Sequence, residues 1–322
     1  MLIKKLVLVL ITLLIANTTW ADIYFKEEKT INFVITPAIA YRYDVFRWSI
    51  PDNIFPNKKL SELIWKNRII QPSIKIELEP QQNQFTLLGQ AKYGYILKTQ
   101  SKSWDKDWHI YKKKSGGLKS DFYSNTLSFV KGNILDLSGA IGYSVNLFKN
   151  NLLTFYIGYD YNDYRNNQYG IRQLVNNRND LLYPSNKLIS KYNFKTQSPW
   201  IGLSVKTQLT DKFGVTPTIK YYSFKYVGKG YWLLRYDLKQ DPSFKHTAKG
   251  YGLGVDLDFL YKYSNSLDFK FNLETKKFKM KKGTDTTFNS KKSIKGEYVD
   301  KGKLFDLSLI TSSISCGVRY KL

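Results

Sequence analysis

Two aspartates one residue apart, Asp105 and Asp107, lie in the segment Ser103, Trp104, Asp105, Lys106, Asp107, Trp108, His109. On a β-strand, residues two apart share a face, so both carboxyls would point one way and come close enough to raise one another's pKa. Such a pair can position and deprotonate a water. The chain has only two histidines, His109 and His246, to serve as a partner base. His109 is one step off Asp107 in parity and faces the opposite way on a continuous strand. His246 lies far along the chain, and the residue two before it is Phe244, not an acid.

Other chemistries find little material. The single Cys316 excludes an internal disulfide framework and a thiolate metal cluster, and two histidines leave little scope for zinc, so no metal is expected. No strained glycine-flanked elbow presents a serine nucleophile. The formal charge is +24, and it falls to +22 if residues 1 to 21, with Lys4 and Lys5, are removed. An exported chain of that charge meets the phosphates of lipopolysaccharide first, and lysine's point charge suits them. Nucleic acid is not expected as a partner.

The elements that must carry these residues read as membrane strands. Lys4 and Lys5, an apolar run from Leu6 to Ala16 and a small residue at Ala21 describe a secretory signal over 1–21, too short to span a bilayer as a helix. Residues 22–322 form one expected domain. At 43% hydrophobic and 16% aromatic it has ample material to bury, yet that material alternates instead of massing in runs. Leu267, Phe269, Phe271 and Leu273 oppose Asp268, Lys270, Asn272 and Glu274. Tyr251, Leu253 and Val255 oppose Gly252, Gly254 and Asp256, and the chain closes on Ile314, Cys316, Val318, Tyr320 and Leu322. Charges confined to one face are cheap only if that face avoids lipid.

Short connections at Glu79 to Gln82, Lys149 to Asn151, Thr210 to Lys212 and Ser264 to Ser266 contrast with long polar stretches. The long ones fall near Ser49 to Lys59, Lys106 to Asn125, Tyr164 to Lys187, Tyr226 to Lys249 and Lys281 to Lys301. Short turns on one rim and long loops on the other predict an all-β, antiparallel transmembrane barrel of about ten strands in the outer membrane.

The Asp-x-Asp-Trp segment at Asp105 to Trp108, its interval to Asn125 and Thr126, Leu60 to Lys66 and Pro199 to Leu203 resemble the omptin family of outer-membrane endopeptidases. The resemblance implies a ten-stranded, omptin-like barrel over the whole of 22–322. It also implies a water held between the aspartate pair and an Asp-x-His couple on the facing wall, with cleavage beside basic residues. At the couple's positions this chain has Leu233, Leu234 and Arg235, and arginine stays protonated at any physiological pH. For the family's acidic subsite Asp44 is the candidate. For the lipopolysaccharide that omptins require, Tyr159 and Lys195 match, while Tyr161 and Asp163 depart from the pattern.

Two functions follow. One is an omptin-like surface protein, catalytically impaired and acting through basic extracellular loops in surface or host interaction, as a monomer with no cofactor beyond lipopolysaccharide. The alternative is an active endopeptidase that cleaves near basic residues by an Asp-activated water, with His246 as a relocated base.

Overall fold

The computed structural model describes residues 31–80, 85–112, 117–148, 151–175, 181–293 and 296–322. The signal expected over 1–21 lies outside them, as does much of the short turns near Gln82 and Lys149. Strands β1 (Ile31–Pro51), β2 (Lys59–Pro80), β3 (Phe85–Ile96), β4 (Lys102–Lys112), β5 (Leu118–Phe148) and β6 (Asn151–Gln173) come first. β7 (Leu181–Gln208), β8 (Phe213–Trp232), β9 (Phe244–Lys262), β10 (Leu267–Ser293), β11 (Gly296–Lys303) and β12 (Asp306–Lys321) follow.

All pair antiparallel in one sheet that closes where β1 meets both β2 and β12. β3 and β4 occupy the lower and upper parts of one wall position between β2 and β5, and β11 hangs on β10. Twelve strands thus fill the ten positions of a closed barrel, which leaves no open edge in the membrane.

The apolar parity faces outward. Ile157 is 73% exposed and Leu322 74%, with Ile39, Ile141, Ile201, Ile219, Leu253 and Ile314 exposed around the same band. Closure sets the direction that alternation alone leaves open, and the terminal strand follows its expected faces. The Thr210 and Ser264 turns are tight, closed by Phe213 N to Thr210 O and Ser264 N to Leu267 O.

The long polar stretches differ from expectation. β5 has 31 residues, β7 28 and β10 27, against about 10 needed to cross the bilayer. Much of what reads as loop is wall continuing above the membrane. There water meets both faces of the sheet, so the apolar alternation that marks a strand is lost.

Inside, the barrel changes character with height. The lower half holds a cavity of about 440 Å³ lined by Lys75, Glu77, Lys220, Asp256, Asp258 and Lys270 among others. Its charges are matched: Lys75 with Glu77 at 2.7 Å, Lys220 with Asp256 at 2.7 Å, Lys270 with Asp258 at 2.8 Å. Buried ions survive only when paired and hydrogen-bonded, which this layer achieves within β2 for Lys75 and Glu77 and between neighbouring strands for the other two pairs.

Above it lies an aromatic floor. Phe46 stacks on Phe194 at 4.4 Å and on Trp65 at 5.3 Å, and Trp48, Tyr192, Tyr226 and Phe244 close round them. Each such ring withdrawn from water contributes roughly 1.5–3 kcal/mol. Glycines on facing strands make the room: a Cβ at Gly230 would stand 2.1 Å from the Phe244 ring, and one at Gly252 2.5 Å from Phe278.

Candidate functional site

Above the aromatic floor the wall opens into a mouth. Asp105 and Asp107 lie on β4, held between β2 and β5 with Asp105 opposite Leu63 and Thr126, and Asp107 opposite Ser61 and Ser124. Regular pairing runs through both residues, and the bulge that shifts parity falls only between Asp107 and Trp108. Both carboxyls therefore share the inward face, as their spacing predicts. Leu63 pairs with Trp48, five residues beyond the outward Tyr43, which puts the pair about 16 Å above that tyrosine along the strand.

Withdrawal from water, with Asp107 beside it, pushes Asp105 up to about 8. Burial raises Asp107 as well, opposed by a hydrogen bond from Ser61. Arg235 pulls both carboxyls back down from the other side of the mouth.

Arg235 belongs to the loop 233–243, the facing wall. Its guanidinium is forked onto Asp237, Nε to Oδ1 at 2.7 Å and Nη2 to Oδ2 at 2.6 Å, which holds Asp237 down at about 2. The loop is pinned at both ends: Leu233 N donates to Ile189 O, Lys239 N to Phe288 O, and Ser290 N to Asp237 O. A cis peptide joins Asp241 to Pro242. Leu233, half-buried, offers nothing that ionises. Where an oriented imidazole would face the carboxyls, a fixed cation stands within their electrostatic reach.

The histidines are placed elsewhere. His109 sits out on the β4–β5 hairpin, edge-on to Tyr111 at 5.7 Å. His246 is 1% exposed, packed edge-on against Trp48 at 4.4 Å within the floor. Its Nδ1 meets the Tyr192 hydroxyl at 2.6 Å and its Nε2 lies 3.0 Å from Asp285 Oδ1, so neither ring nitrogen is turned to the open mouth. Asp285 is a partner that local spacing does not reveal. It lies directly opposite His246 across the β9–β10 ladder.

Asp44, the candidate for an acidic subsite, lies below the mouth. It is fully buried one inward step below Phe46, gripped by Arg42 at 2.7 and 2.9 Å and by the Tyr164 hydroxyl at 3.1 Å. Arg42, two residues before it on the same face, consumes its charge and also reaches Asp136 at 2.5 Å.

On the outer wall Tyr159 and Lys195 share the outward face of β6 and β7, four ladder steps apart. Lys195 is already engaged, 3.4 Å from Asp163 and hydrogen-bonded with Tyr161.

A closed, apolar-outside barrel with short turns below and a tall wall above is an outer-membrane β-barrel. Residues 38–307 match the Protochlamydia outer membrane protein family, and the chain belongs to that family. Among solved structures it is similar to the outer-membrane protease OmpT of Escherichia coli, with a TM-score of 0.71 at 14% identity, covering 90% of this chain and 97% of that one. The translocator domain of the autotransporter NalP from Neisseria meningitidis aligns at a TM-score of 0.39 and 8% identity, over 99% of this chain and 98% of that one. No curated protein sequence matches the chain. The likeness to OmpT is one of fold, and the protein resides in the outer membrane.

Proposed function

We propose that this is a non-proteolytic outer-membrane surface protein that works as a monomer through its basic extracellular wall and loops, on an omptin-like scaffold whose hydrolytic centre is incomplete. The observation that carries the reading is Arg235, clamped by Asp237 and opposed to Asp105 and Asp107 where a water-activating centre needs a base. Loss of a general base alone costs a rate factor of about 10² to 10⁴, and the fixed cation would also repel a basic substrate. Tyr159 and Lys195 remain the proposed contact with lipopolysaccharide, weakened by the hold of Tyr161 and Asp163 on Lys195.

A second reading is favoured by the couple formed by His246 and Asp285, which has the partners of a working base but lies beneath the mouth. In it the chain is an endopeptidase with a relocated imidazole. The test is cleavage of dibasic peptides by the folded protein supplied with lipopolysaccharide. Negligible turnover supports the first reading, and robust turnover abolished by Asp105→Ala overturns it. If His246→Ala abolishes that turnover too, while the variant still folds, the second reading takes its place.

A further inference from the structure

The cavity in the lower half of the barrel takes no part in the mouth. The aromatic floor and, beneath it, Arg42 bonded to Asp44 and Asp136 divide the two. Among the residues that line it, Asn32, Asn146, Leu152, Lys206 and Leu260 lie at the short-turn ends of their strands. Short turns face the periplasm in this class of barrel, so the cavity is a blind pocket entered from that side. At about 440 Å³ it has the size of pockets that take small ligands.

Its charge balance has one gap. The lining acids Glu77, Asp256 and Asp258 each hold a lysine, Glu274 takes Lys92 at 2.6 Å, and Arg319 reaches Asp268 at 2.9 Å. Lys206 is the one lining cation with no acidic partner among the described residues. Its side chain is exposed, on the inward parity of β7 with buried Ser204, and it pairs with Leu152 of β6. Deeper in the pocket each cation already has its acid and gains little from a ligand. At Lys206 an anion meets an uncommitted ammonium.

The wall beside it is rich in hydroxyls. Ser204 stands opposite Thr218 across β7 and β8, and Thr216 and Thr154 line the same pocket. Thr36, 3% exposed, lines it too, and its hydroxyl has no hydrogen-bond partner. Buried polar groups are normally satisfied, so hydroxyls gathered round a polar cavity favour a ligand that brings hydroxyls of its own. Lysine's point charge suits a phosphate.

We propose that the lower cavity is a periplasmic binding pocket for a small hydroxylated phosphate ester of the sugar-phosphate class. Lys206 holds the phosphate at the entrance and the hydroxyl wall meets the sugar. The pocket lies on the far side of the floor from Asp105, Asp107 and Arg235, so it stands or falls independently of what the mouth does.

The test is titration calorimetry of glucose 6-phosphate into the folded protein in neutral detergent, with glucose and inorganic phosphate as separate titrants. Wild type should bind the ester saturably, and glucose or phosphate alone more weakly by about tenfold, since each lacks the other's contacts. Lys206→Gln should weaken the ester about tenfold, as the loss of one charged hydrogen bond would, and leave glucose unchanged. Lys212→Gln removes the same charge from an exposed turn residue outside the pocket and should bind as wild type does. Without ligand, Lys206→Gln should unfold at the wild-type temperature, because Lys206 has no partner to lose. A marked drop would show a structural lysine and overturn the proposal. So would no saturable binding of the ester by wild type, equal losses in Lys206→Gln and Lys212→Gln, or glucose or phosphate alone bound as tightly as the ester.

Discussion

The two walls of the mouth are built by different means. β4 is laddered on both flanks, so Asp105 and Asp107 are placed by register whatever their side chains do. The loop 233–243 is tied by a few backbone hydrogen bonds to β7 and β10, and Arg235 must anchor itself through Asp237. A wall fixed by register offers a pair of carboxyls that any facing group can use. A wall fixed by side chains decides whether the mouth hydrolyses, binds or does neither.

The largest effect should come from the floor that supports both walls. Phe46→Ala is expected to cost about 3–5 kcal/mol, since it empties the centre of the aromatic stack, and urea unfolding of the detergent-folded protein would show it. A loss below about 1 kcal/mol would mean that the walls stand without the floor. His246→Ala should follow, at about 2–3 kcal/mol, because it empties a packed place beside Trp48 and Phe244 and takes the imidazole away from the Tyr192 hydroxyl and from half-buried Asp285. An unchanged unfolding curve would argue that the couple is not structural, and would strengthen its candidacy as a base.

A smaller effect distinguishes the walls by pH. Asp105 keeps its proton to about 8 in the folded state, against about 4 when unfolded. The folded state therefore binds the extra proton between those values and loses stability as pH rises through them. Asp105→Asn removes that loss and should gain about 1 kcal/mol at about pH 9 while changing little at about pH 4. A gain of equal size at both would show that the carboxyl is not withdrawn from water. The smallest effect should be Asp237→Ala, which releases Arg235 to the carboxyl pair and lowers the titration point of Asp105, read by carboxyl NMR shifts. No movement would place the guanidinium out of reach of β4.

The same division explains what the sequence discloses. Alternation from Leu267 to Glu274 is legible because lipid on one side and water on the other impose a period of two. The shared face of Asp105 and Asp107 follows from parity alone. Above the membrane that asymmetry ends, so Lys281 to Lys301 reads as loop although β10 and β11 run through it. Arg42 shares the face of Asp44, so its capture of that carboxylate was readable from parity. Asp285 meets His246 only through the ladder between β9 and β10, and no local spacing announces such a pair.

The most direct test of the central claim compares wild type with Leu233→Asp/Arg235→His in one cleavage assay, on dibasic peptide with lipopolysaccharide present. The pair of changes puts an oriented imidazole on the facing wall and removes the cation. The account predicts a silent wild type and measurable turnover by the double variant, lost again on Asp105→Ala. Wild-type turnover equal to or above that of the double variant would contradict it.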